Sequence, residues 1–165
     1  MLARTLADLQ QLVQHHGGSF DFINISAAFV RVAKLASTSK QAGKQAVWPL
    51  MGPLCQRLRP QLDKCGPREP SNIVWICGKL AYAEATLLDA CLARLAASSE
   101  LNSQDCSNAM YAAALLWDSG YRISEEQAQQ LVAALVQKQE EAKPQELANT
   151  LWAAATMGLQ VPQQQ

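Results

Sequence analysis

The sequence predicts an all-α fold, and three observations carry that expectation. Apolar residues make up 49% of the 165 positions but aromatics only 6%, and alanine and leucine, both strong helix formers, dominate the apolar share. Apolar positions recur at helical period almost everywhere, and no segment alternates long enough to read as a strand. The interruptions are those of helical hairpins: capping residues before apolar stretches, glycine or proline after them. No apolar run reaches the roughly 18 residues that a membrane span needs.

Taken in order, a first helix is expected from Leu2 to about His15, stopped by Gly17-Gly18. MLARTLADLQQLVQHHGG has no secretory apolar core and no cleavage site, and too few Arg and Ser residues for a transit peptide. A second helix covers about Asn24 to Ala36 and is followed by the polar loop STSKQAGK. A third stretch, about Gln45 to Lys64, carries Pro49, Pro53 and Pro60 and is expected to kink or break into shorter pieces. CGPREPS reads as a linker, with Pro70 suited to the first turn of a fourth helix that runs to about Tyr82. A fifth spans about Glu84 to Ala97, with Leu88, Cys91, Leu92 and Leu95 on one stripe.

Asn102 or Ser103 caps a sixth helix ending at Asp118, where Gly120 supplies the left-handed residue after the terminus. Ser124 with Gln127 forms a capping box for a seventh, expected to reach about Glu141, so that Glu140-Glu141 close its solvated face. Pro144 opens the eighth, and Gly158 closes it before Pro162 and a glutamine tail.

The eight segments repeat. Asn72 is followed three residues later by Trp75, Asn108 by Tyr111 and Asn149 by Trp152; the asparagines are 36 and 41 residues apart. Each interval holds two helices and two turns, as expected of a solenoid whose units bury their apolar sides on their neighbours. Asn24 begins a divergent earlier unit 48 residues upstream, with Ala27 in the aromatic position. The expected divisions are 1–66 for the divergent start, then 67–102, 103–143 and a partial unit 144–165. All belong to one array.

At about 100° per residue, each Asn and the aromatic three later share one face, and the residue seven later returns between them. Those seventh residues are Arg31, Lys79, Leu115 and Thr156. Two readings stand at this point. The aromatics Trp75, Tyr111 and Trp152 can be wedges between repeats, with the amides bonded to backbone inside. Alternatively, the first helix of each unit lines an open groove where amides and seventh residues meet bases of single-stranded RNA.

Other chemistry is scarce. The five cysteines form no CxxC pair and are never closer than ten residues, which predicts buried, reduced, intracellular thiols rather than a zinc site. His15-His16 suit the end of a helix dipole better than a metal. Glu125-Glu126 suit the first turn of theirs for the opposite reason. There is no Ser/His/Asp or Cys/His arrangement and no glycine-rich phosphate loop. The sequence therefore predicts a binding protein without cofactor or metal, and not an enzyme. Net charge is zero but uneven: residues 1–65 carry eight Lys/Arg against three Asp, and residues 66–165 carry six against eleven acids. Such asymmetry suits either a polyanion-facing end or two solvated faces of opposite sign.

PQELANTLWAAATMGLQVP (144–162) resembles the unit of the octotricopeptide repeat proteins of green algae and plants, and of the related FAST-kinase-like and RAP-domain organelle proteins. FDFINISAAFVRVAKLA (20–36) resembles the segment that opens such arrays, and LQQLVQHHGGSFDF is similar to the helix and turn before it. The resemblance covers nearly the whole chain, about four units. It implies a right-handed α-solenoid of tandem helical hairpins of roughly 38–40 residues each. It further implies binding of chloroplast or mitochondrial single-stranded RNA in transcript stability, processing, splicing or translation, together with other proteins of such complexes. On this reading Arg31, Lys34 and Lys79 neutralise phosphates, and Asn72, Asn108, Asn149 and Thr156 contact bases. Tyr111 and Ala27 depart from the family's tryptophan, no RAP segment is visible, and the chain is neutral where such binders are usually basic. The alternative expectation is a protein-binding scaffold of HEAT or TPR type, whose acidic second half docks a basic partner.

Overall fold

The computed structural model describes residues 4–38 and 43–159. Leu2, residues 39–42 of the expected polar loop, Pro162 and the glutamine tail lie outside the described residues. Within them the fold is all-α: eight α-helices and three short 3-10 segments, with no strand. The chain forms two compact units, Met1–Cys65 and Gly66–Gln165.

In the first unit, α1 (Leu6–His16) begins later than Leu2 because Thr5 caps it. The Thr5 hydroxyl accepts the Asp8 N–H at 3.1 Å, and the Asp8 carboxylate accepts the N–H groups of Thr5 and Arg4, each at 3.0 Å. These bonds hold the Asp8 carboxyl below its ordinary pKa. Helix α2 (Phe22–Thr38) starts two residues before Asn24, because Asp21 accepts both the backbone and the side-chain N–H of Asn24, at 2.8 and 2.7 Å. Its buried stripe is Ile25, Ala28, Phe29 and Val32.

The proline-bearing stretch breaks as expected, into a 3-10 turn (Lys44–Val47), α3 (Trp48–Leu58) and a second 3-10 segment (Arg59–Lys64). Pro49 and Pro60 sit at the starts of their pieces, where the missing N–H costs nothing. Pro53 stays inside α3, with Leu50, Met51, Leu54, Cys55 and Leu58 buried around it. Leu9 and Val13 of α1 complete this core.

The second unit holds three hairpin-type starts. Helix α4 (Arg68–Leu80) is buried on most sides, and α5 (Ala85–Ala96) buries Leu87, Leu88, Cys91, Leu92 and Leu95, the expected stripe plus one. Glu84 caps α5 by accepting the Leu87 N–H at 2.6 Å. In α6 (Ser103–Trp117) Asn102 and Asp105 form a full capping box, which places the cap at the first of the two expected residues. Helix α7 (Glu125–Gln137) has only half of its box: Ser124 accepts the Gln127 N–H, and no reciprocal bond returns. It ends at Gln137, so Glu140-Glu141 stand exposed on the turn after the helix rather than closing it. Helix α8 (Pro144–Thr156) completes the unit.

Helix α4 packs on α6 and α6 on α8, while α5 packs on α4 and on α7, and α7 on α6. Two layers result, α4-α6-α8 and α5-α7. The three helices of the first layer end alike. An αL residue follows each: Ala81 (φ 53°), Gly120 (φ 85°) and Gly158 (φ 67°). The next N–H then reaches back five residues, from Tyr82 to Cys77, Tyr121 to Leu116 and Leu159 to Ala154. Within the first layer α4 and α6 approach closely where Gly78 meets Ala112, since a Cβ on Gly78 would stand 2.9 Å from the Ala112 Cα. All five cysteines are buried and unbridged, as expected.

Candidate nucleic-acid interface

The recurrent residues fall on one face of the α4-α6-α8 layer. Taking each Asn as the origin of its helix, positions 0 and +7 point away from both neighbouring helices at about 100° per residue, and +3 lies about 60° to one side. Positions +1, +4 and −3 face the preceding helix. Positions −1, +3 and +6 face the following one, and −2 and +2 face the second layer. Gly78 (+6) against Ala112 (+4) fixes this register between α4 and α6.

Asn72, Asn108 and Asn149 are half-buried rather than enclosed, and Lys79 and Thr156 are exposed. The amides are therefore not bonded to backbone inside the protein. Asn149 accepts from Gln145 Nε2 of its own helix at 2.7 Å, and no side-chain hydrogen bond of Asn72 or Asn108 occurs among the described residues. Trp75 and Tyr111 are half-buried, and Trp152 is 46% exposed. None is a fully buried wedge. Tyr111 and Trp152 do touch across α6 and α8, with ring centroids 5.2 Å apart and planes tilted by 44°, a geometry aromatic pairs favour. Trp75 instead lies under the Lys79 ammonium, 5.5 Å from the ring centroid.

The structure thus brings Asn72, Trp75, Lys79, Asn108, Tyr111, Asn149, Trp152 and Thr156 onto one layer of the second unit. Arg31 and Lys34 lie on α2 of the first unit, Arg31 half-buried and Lys34 exposed. On the layer's open face Lys79 is an exposed cation, as is Arg68 four residues before Asn72. Leu115 and Thr156 fill the same +7 position as Lys79 on the neighbouring helices. A second stacked cation, Arg122, lies 3.8 Å from the Trp117 ring and donates to the Trp117 and Tyr121 carbonyls at the end of α6.

One recurrent position escapes a search for amides and aromatics. Each Asn is preceded by an acid three residues earlier: Asp21, Glu69, Asp105 and Glu146. In α8 this acid locks the layer. Glu146, 8% exposed, accepts from Ser103 Oγ of α6 at 2.8 Å and from the Lys143 N–H at 3.0 Å. Ser107 Oγ of α6 and Thr150 Oγ1 donate to its backbone carbonyl at 3.0 and 2.9 Å. In α6 the neighbouring Asp105 charge adds to burial in pushing the Cys106 thiol up to about 11. The signal was present in the sequence as an acid-x-x-Asn-x-x-aromatic spacing.

Elsewhere, burial and a 2.7 Å bond to Asp89 push the Tyr121 phenol well above its ordinary range. No cluster of three His, Cys, Asp or Glu residues that could hold a metal occurs among the described residues, and none of their helices is long and apolar enough to cross a membrane. No family model, curated protein or solved structure matches the chain.

Proposed function

We propose that the chain is a segment of right-handed α-solenoid of the octotricopeptide type, whose open layer binds organellar single-stranded RNA. The observation that carries this reading is the row of half-buried amides on the layer's open face. Three successive helices present an Asn at the same register, beside a seventh residue that differs between units (Lys79, Leu115, Thr156). A constant hydrogen-bonding group next to a variable one is what reading one base per helical unit requires. Of the aromatics beside them, Tyr111 and Trp152 meet across α6 and α8, while Trp75 stacks with Lys79. Lys79, and Arg31 and Lys34 on α2, supply phosphate neutralisation. Binding of this kind serves transcript stability, processing, splicing or translation in a chloroplast or mitochondrion, without catalysis or cofactor.

The test is binding to a randomised single-stranded RNA pool over a salt series. Enrichment of a short motif is expected, with affinity falling as salt rises. Lys79→Ala should lower the slope of log K against log salt by about one. Absence of binding at low salt, or a slope unchanged in Lys79→Ala, overturns the assignment and leaves a protein-binding scaffold.

A further inference from the structure

The large apolar side chains exposed in the second unit are Leu147, Leu151 and Trp152, at 36%, 61% and 46%. All three are on α8, and the repeat register says what each position does elsewhere. Leu147 and Leu151 are at −2 and +2. The same positions in α6 are Cys106 and Met110, both fully buried, and in α4 they are Pro70 and Val74, also buried. They belong to the side that faces a second-layer helix. At −1 and +6, facing the next first-layer helix, α4 has Ser71 and Gly78 and α6 has Ser107 and Ala114, all buried. In α8 these positions are Ala148 and Ala155, both exposed.

We infer that α8 seats a further helical hairpin of the chain's own repeat type. One helix of it covers Leu147 and Leu151 as a second-layer helix, and the other runs along Ala148, Trp152 and Ala155 as the next first-layer helix. The argument is continuity with an interface that occurs twice within the unit, at α4-α6 and α6-α8, and it does not depend on RNA binding. A second copy of this chain cannot extend the layer in the same sense. The complementary positions +1 and +4 are already buried on every candidate helix: Ile25 and Ala28, Ile73 and Ile76, Ala109 and Ala112. On α8, Ala153 at +4 is buried too.

The test repeats residues 121–158 after Gly158, so that the copy follows α8 as residues 121–158 follow α6. The expected result is a helical signal that grows by the added length and one cooperative thermal transition. Leu151→Glu should leave melting of the parent chain nearly unchanged, since the side chain is exposed, but should uncouple the added hairpin in the extended chain. Added residues that stay unfolded, or that melt independently of Leu151→Glu, overturn the inference. So does a parent chain that sediments as a dimer and becomes a monomer on Leu151→Glu, because a second copy then occupies this face.

Discussion

Two glycines, one in each unit, stand equally close to a neighbour and yet do different jobs. A Cβ on Gly17 would come within 2.8 Å of Arg57 Nε, and a Cβ on Gly78 within 2.9 Å of the Ala112 Cα and Cβ. Gly17 has an ordinary helical φ of −59°, so its role is to leave room for a guanidinium that also donates to the Pro53 carbonyl. That side chain has other rotamers. Gly78 leaves room for a backbone, and a backbone packed between two helices has nowhere to go. The first unit is held by side chains wrapped around a proline-broken segment, the second by helices packed directly on one another in two layers.

The sharpest way to break this contrast is substitution at the two glycines. Gly78→Val should destabilise by about 3 kcal/mol, the upper end of ordinary overpacking costs, and Gly17→Ala by about 1 kcal/mol or less, read as the shift in urea-unfolding free energy. Equal losses would mean that both contacts yield alike. A smaller effect comes from the two acids three residues before an Asn. Glu146→Ala strands the Ser103 hydroxyl and the Lys143 N–H near a buried surface and should cost about 2 kcal/mol. Asp21→Ala removes an exposed cap and should cost about 1 kcal/mol.

Ala81 offers a gain. It holds a left-handed conformation that costs a residue with a Cβ about 1–2 kcal/mol, where the two sister helices use glycine. Ala81→Gly should therefore stabilise by about 0.5 kcal/mol once the added freedom of the unfolded chain is deducted, visible as a raised melting midpoint.

The smallest effect at neutral pH belongs to Cys106. Its folded-state pKa is raised from 9.0 to about 11. The unfolded chain therefore loses this proton first as pH rises, and stability declines across that window. Cys106→Ala should flatten the decline between pH 9 and 11 while leaving the part due to Tyr121, whose phenol is also held protonated. Urea midpoints measured at stepped pH check this.

The order of helices was legible because the punctuation is local. Gly120, Gly158 and the Asn102 cap each act through their own turn of backbone, and they end or start helices where the sequence places them. Helix α4 instead begins at Arg68, inside the CGPREPS stretch expected as a linker, with Pro70 in its first turn. Boundaries failed where a cap was overlooked: Thr5 with Asp8 delays α1, and Asp21 advances α2. Glu140-Glu141 misled because a charged pair continues an amphipathic pattern equally well on a turn. At the candidate site, the spacing of Asn and aromatic placed three helices in one layer, but not the degree of burial. Exposure at Trp152 depends on what lies beyond α8, and exposure at Asn72 on the gap between helices set by Gly78. Both are long-range quantities. The acid at −3 was legible as a spacing, but its partner was not, since Ser103 and Glu146 are 43 residues apart.

The burial of every cysteine has a practical consequence. Thiolate, not thiol, reacts with alkylating reagents, and in the folded chain all five sulfurs are enclosed, with that of Cys106 also held in its protonated form. A single cysteine introduced at an exposed position such as Ser119 or Gln129 would then be the one fast-reacting site without removal of any native residue. A fluorophore or spin label can be placed on this molecule one position at a time, and distances between its helices measured in solution on an otherwise unaltered core.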